Sequence, residues 1–128
     1  MSLLSKEEQK FWKKYHIPSC SNLHSVKVDA VFYNINNTEG HELMKAKTCW
    51  EIKKRGHHFI CEAERNELTN GKKRRVDIVC LSEEMEYEVE TSIFRAKRFL
   101  CDKRVCVIPV NWNEEDLEKW KKLKKLSA

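Results

Sequence analysis

The sequence predicts an α/β domain built around a mixed sheet. Two observations predict it. From residue 38 onward the segments read in the order helix, strand, strand, strand, helix, strand. The helical segment between the third and fourth strands allows a parallel crossover, whereas the first three strands follow one another through turns and read as an antiparallel meander. With 128 residues the chain holds one domain with a real core and is too short for two. Residues 1–128 are therefore read as a single domain with its core at about 38–110, plus an N-terminal helix and strand and a C-terminal helix.

Lys6 to Tyr15 reads as a short helix with Phe11, Trp12 and Tyr15 on one side, ended by Pro18 and a Ser-Cys-Ser-Asn run. "VKVDAVFYNI", Val26 to Ile35, alternates as a strand does, and "NINNTEG" is a turn. Thr38 can cap the next helix, with Glu39 in its first turn, Lys53–Arg55 at its negative end and Gly56 as its stop. Leu43, Met44, Cys49 and Ile52 form its rough apolar stripe. Three strands follow: "HHFICEAE", "RRVDIVCL" and "EYEVE". Asn70-Gly71 is the strongest hairpin signal and "SEEM" is the second turn. Thr91 or Ser92 can cap a helix from Ile93 to Asp102. "RVCVIPV" is unbroken apolar and reads as a strand buried on both faces. Asn111 or Asn113 caps the last helix, which has acids in its first turn and lysines in its last. Its side with Leu117, Trp120, Leu123 and Leu126 is expected to pack on the domain or on a second copy, so a homodimer is among the expectations.

Lys and Arg number 25 against 20 Asp and Glu, a net +5 that fits an anionic partner. No apolar run approaches the ~20 residues of a membrane span, and "MSLLSKEEQKFWKK" lacks the apolar centre of a signal peptide. A soluble, cytoplasmic protein is expected. The six cysteines contain no Cys-x-x-Cys pair, which argues against a structural zinc site. Cys61 and Cys80 sit in apolar strands as small buried residues.

The acids of residues 77–90 need an explanation, because they interrupt segments bound for a core. By alternation Asp77, Val79 and Leu81 share one face of the second strand, and Glu86, Glu88 and Glu90 share one face of the third, opposite Tyr87 and Val89. If the two strands pair, Asp77 and Glu88 lie side by side, and like charges ~5 Å apart repel. A divalent cation, Mg²⁺ or Mn²⁺, removes the conflict. Glu83, Glu84 and Glu86 read as solvated. Glu62 and Glu64 line the site or its rim and rank below Asp77. His57 and His58 adjoin a helix end and read as capping or surface residues rather than metal ligands. Arg65, Lys72, Lys73, Arg74 and Arg75 cluster about the first hairpin turn, either as a solvated loop or as backbone phosphate contacts.

"VDIV…YEVET" resembles the core motif of the PD-(D/E)xK nuclease superfamily, the restriction-endonuclease-like fold. "TEGHELMKAKTCWEIKKRGHHFICEAE" is similar to the first helix and strand of its small archaeal and viral members. The resemblance covers a little over half the chain. It implies an αβββαβ core, DNA as partner and metal-dependent hydrolysis. Asp77 matches the motif aspartate and Glu88 the first acid of Glu-x-Lys. Glu39 or Glu42, on the preceding helix, would join the metal site. Glu90 stands where the family usually has lysine. In some members that lysine moves to the following helix, where Lys97 is the candidate here. The reading is thus a metal-dependent endonuclease acting on DNA, with Asp77, Glu88, Glu90 and Lys97 catalytic. The alternative is a nuclease-fold DNA-binding or scaffold protein without catalysis. A third reading is a small basic RNA-binding protein.

Overall fold

A computed structural model describes residues 4–16, 28–66 and 71–127. Its elements are α1 (Lys6–Trp12), α2 (Glu39–Lys54), β1 (Phe59–Asn66), β2 (Lys73–Cys80), β3 (Met85–Glu90), α3 (Ile93–Ala96) continued by a 3-10 turn (Lys97–Phe99), β4 (Val105–Pro109) and α4 (Glu114–Ser127). The strands form one sheet in the order β1-β2-β3-β4. The first two pairs are antiparallel and β3 runs parallel to β4. The α/β class and the mixed sheet agree with the sequence reading. Among the described residues no helix is long and apolar enough to cross a membrane.

The helix starts follow from their caps. Ser5 and Glu8 form a reciprocal box: Glu8 N–H donates to Ser5 Oγ at 3.1 Å and Ser5 N–H to Glu8 Oε1 at 2.8 Å. His41 N–H donates to Thr38 Oγ1 at 3.2 Å, as Thr38 predicted. Gly56, at φ 77°, turns the chain out of α2. Asp116 N–H donates to Asn113 Oδ1 at 2.8 Å, so Asn113 rather than Asn111 caps α4.

Each face of the sheet has its own core. Leu4 and Phe11 pack with Ile60, Val79 and Leu81 on one side. Cys49 and Ile52 of α2 pack with Phe59, Cys61, Ile78 and Cys80 on the other. Residues 59–61 and 78–80 alternate between the two clusters, as a pleated strand requires. Each fully buried Ile, Val or Phe contributes about 1.5–3 kcal/mol.

Three expectations are corrected. Residues 28–35 form turn and coil, not strand; residues 26 and 27, Pro18, the Ser-Cys-Ser-Asn run and Asn70 lie outside the described residues. Asp29, at φ 63°, bends this segment. Its carboxylate takes bonds from Lys53 Nζ (2.9 Å) and Phe59 N–H (3.1 Å) and meets His58 Nδ1 at 2.8 Å. Val31 and Phe32 consequently cover the α2-side core instead of joining the sheet. β4 is half-buried throughout rather than buried on both faces, because it is an edge strand paired with β3 alone among the described strands. The helix after β3 keeps α geometry only to Ala96, and Leu100 N–H then bonds Lys97 O three residues back. On α4, Trp120 is buried edge-on against Trp112, ring centroids 5.7 Å apart, while Leu126 is exposed.

Candidate functional site

Among the described residues the sheet opens beside Asp77. Glu62 stands opposite Asp77 with φ 53°, a conformation rare for a residue with a side chain. Cys61 pairs with Ile78 and Ala63 with Val76 on either side of it. The β2–β3 ladder stops at Ile78 and Tyr87. One residue further, side chains replace the ladder. Val89 N–H donates to Asp77 Oδ2 at 2.8 Å, and Asp77 N–H donates to Glu88 Oε1 at 3.3 Å. Backbone amides released by the parting strands are thus satisfied by carboxylates, which buried donors require.

The parting also corrects the alternation. Val79 and Leu81 join the α1-side core together with Val76. Asp77 instead meets His41 of α2. The pleat loses its parity between Val76 and Ile78, so Asp77 does not share a face with Val79 and Leu81.

A cavity of about 370 Å³ opens at the gap. Asp77, Glu88 and Glu90 all line it, joined by Glu62 and His41, with Arg75, Arg95 and Arg98 as its cations. The backbone at Glu90 is fixed by Val110 N–H and Trp112 Nε1, which both donate to its carbonyl, at 3.0 and 2.9 Å.

α2 supplies a charged row behind the cavity. His41 Nε2 lies 3.3 Å from Asp77 Oδ2 and Nδ1 lies 2.6 Å from Glu42 Oε2. The bond to Asp77 is the main reason the imidazole pKa rises to about 9; burial opposes the rise, and Glu42 adds to it. Lys45 is fully buried, its Nζ 2.7 Å from Glu42 Oε1 and 3.0 Å from Glu62 Oε1. Burial alone would raise the Glu42 carboxyl. Bonds from Lys45, the Asn34 N–H, His41 and Asn37 more than offset it and hold the pKa at about 2.

Glu88 and Glu90 differ from Glu42. Burial, then the charge of Asp77, pushes Glu88 well above the usual carboxylate range, against the pull of Arg74, whose Nη1 lies 3.3 Å away. Burial likewise raises Glu90, opposed by Arg98 at 3.4 Å and reinforced by Asp77. Protein cations leave these two acids under-compensated. An all-carboxylate donor set suits a hard divalent cation such as Mg²⁺ or Mn²⁺, so the chemistry of the residues fits one. The geometry is looser than that chemistry. The oxygens of Asp77, Glu88 and Glu90 do not gather within 4.8 Å of one another; among the described residues that closeness is reached by His57, Cys80 and Glu83.

The other predicted residues are dispersed. Glu39 is exposed and lies outside the cavity lining, and Glu42 does not line the cavity itself but bonds residues that do, among them His41. Lys97 is exposed on the 3-10 turn and does not line the cavity, whereas Arg95 and Arg98 do. Arg65 and Arg74 turn inward onto Glu86, which is 2% exposed rather than solvated. Tyr15 Oη donates to the same carboxylate at 2.7 Å. Burial raises the Glu86 carboxyl, but Arg65, Tyr15 and Arg74 together bring it below its ordinary value. Lys72 and Lys73 stay at the exposed end of the hairpin. Arg75 faces Glu64 at 3.4 Å and the cavity. His41 and Lys45 were missed by the sequence reading. Their spacing of four places both on one side of α2, which is the signal that could have found them.

Compared with family models, with curated proteins and with solved structures, the chain matches none of them.

Proposed function

We propose that the protein is a metal-dependent endonuclease that hydrolyses DNA phosphodiester bonds. The observation that carries this reading is the parting of β2 and β3 at Asp77 and Glu88, which turns three carboxylates into one cavity beside Arg75, Arg95 and Arg98. The αβββαβ order and the parallel β3–β4 pair are in keeping with the restriction-endonuclease-like core that the motif resembles.

Asp77, Glu88 and Glu90 would hold the cation. When bound, such an ion neutralises charge on the phosphoryl oxygens and lowers the pKa of a water. The chain's own groups do the rest. Arg95 and Arg98 line the cavity with Glu88 and Glu90, where they would offset the charge of a bound phosphate. His41, held between Asp77 and Glu42, fixes the direction of the Asp77 carboxylate. In the alternative arrangement Asp77 and Glu88 hold the cation and Glu90 takes a proton from the attacking water at a carboxylate oxygen.

A second reading has an observation in its favour. Each acid already has a cationic partner in the protein: His41 for Asp77, Arg74 for Glu88 and Arg98 for Glu90. A DNA-binding or scaffold protein without catalysis would be built this way. Plasmid and single-stranded DNA incubated with Mg²⁺, Mn²⁺ or EDTA separate the two readings. Cutting that needs the metal and disappears in Asp77→Ala and Glu88→Ala supports the enzyme. Binding without cutting supports the scaffold.

A further inference from the structure

We propose that His57, Cys80 and Glu83 form a second metal site, suited to Zn²⁺ and separate from the carboxylate cavity. One ligand atom from each residue lies within 4.8 Å of the others. The Nδ1 of His57 is buried without a hydrogen-bond partner, and it stands 3.6 Å from Glu83 Oε1. A buried ring nitrogen with no partner is costly, and a metal is one of the few groups that would use it. Thiol, imidazole and carboxylate are the three donor types zinc takes, and three protein ligands leave a fourth position for water.

The backbone brings these residues together. His58 N–H donates to Ser82 Oγ at 2.9 Å and Leu81 N–H donates to His58 O at 2.8 Å. These bonds clamp the β2–β3 turn against the chain leaving α2, so His57 arrives beside Cys80 and Glu83. Arg55 Nη2 and Tyr87 Oη both donate to Glu83 Oε1, at 2.8 and 3.0 Å, and orient the carboxylate from outside. Such outer partners are a usual feature of metal sites. A Cys-His-Glu nucleophile is a poorer reading of the same cluster. Cys80 is fully buried, and burial pushes its thiol up to about 12, so it is neutral and out of reach of a substrate. A bound cation would deprotonate it. A His-x22-Cys-x2-Glu spacing lacks the usual paired cysteines, so no sequence motif marks the cluster.

The site would tie the end of α2 to the β2–β3 turn, and its test does not depend on nuclease activity. The full chain, kept reduced, is titrated with Co²⁺ while the near-ultraviolet thiolate-to-cobalt band and the visible d–d bands are followed. The expected result is a thiolate band that saturates at one equivalent, accompanied by tetrahedral d–d bands and bleached by Zn²⁺. His57→Ala and Glu83→Gln, both at partly exposed positions, should weaken binding by at least roughly tenfold. Asp77→Ala should leave the spectrum intact. Zn²⁺ should also raise the Tm of the unaltered chain and not that of His57→Ala. The absence of a thiolate band overturns the proposal, and so does a band unchanged by either substitution.

Discussion

Replacing Lys45 with methionine tests how the charged row behind the cavity is held. The side chain is fully buried, and methionine keeps most of its volume, so no large cavity forms. What changes is charge. Glu42 retains bonds from the Asn34 N–H, from His41 and from the Asn37 side chain. For Glu62, itself 5% exposed, Lys45 is the ion partner among the described residues. Removing one member of a buried pair costs about 3–5 kcal/mol, because the other charge stays in the interior. That is a large part of the 5–15 kcal/mol by which a domain is typically stable. Urea denaturation followed by tryptophan fluorescence measures it. Adding Glu62→Leu to Lys45→Met removes the stranded charge and should recover at least half the loss, a strongly non-additive pair. A single-mutant loss below about 1 kcal/mol, or a double mutant as unstable as the sum of its parts, would refute the reasoning.

Other outcomes follow from the same structure. Tyr15→Phe should cost about 1–2 kcal/mol in urea denaturation, because Glu86 loses one bond at 2.7 Å but keeps Arg65 and Arg74. His41 is raised to about 9 in the fold, so its contribution is complete below the unfolded value near 6.5 and is lost as pH climbs from there to about 9. His41→Gln should therefore lack this alkaline decline when urea midpoints are compared at the two ends of that window. Glu42 works in the opposite direction: its stabilisation is present above the unfolded value near 4.5 and is lost as pH falls toward 2, so Glu42→Gln should flatten the acid limb. For DNA binding, Arg98→Ala should weaken affinity and lower the salt slope by about 1, while Lys97→Ala, outside the cavity, should change cavity binding little.

Some of this was legible in residues and some was not. Thr38, Gly56 and the acidic start of α4 act locally, so helix positions could be read from the sequence. The acids of β2 and β3 were legible as a group, because charge inside an apolar segment demands a partner. Their partners were not. The loss of pleat parity at Asp77 comes from two strands separating, and no single segment carries that signal. Lys45 and Glu86 look like solvated charges in sequence, yet each is buried by a partner from a distant element: Glu62 for Lys45, and Tyr15, Arg65 and Arg74 for Glu86. The segment at 28–35 alternates as a strand does. It fails to become one because the Asp29 carboxylate binds Lys53 and the Phe59 amide, which pulls the chain across the end of α2.

A Mn²⁺-soaked crystal with an anomalous difference map tests the central claim most directly. The account predicts a peak in the gap between β2 and β3, within about 2–2.3 Å of oxygens from Asp77 and Glu88, with Arg74 and Arg98 displaced from the acids they now face. A map with no peak there, in crystals where His41, Arg74 and Arg98 still hold the three carboxylates, would contradict it.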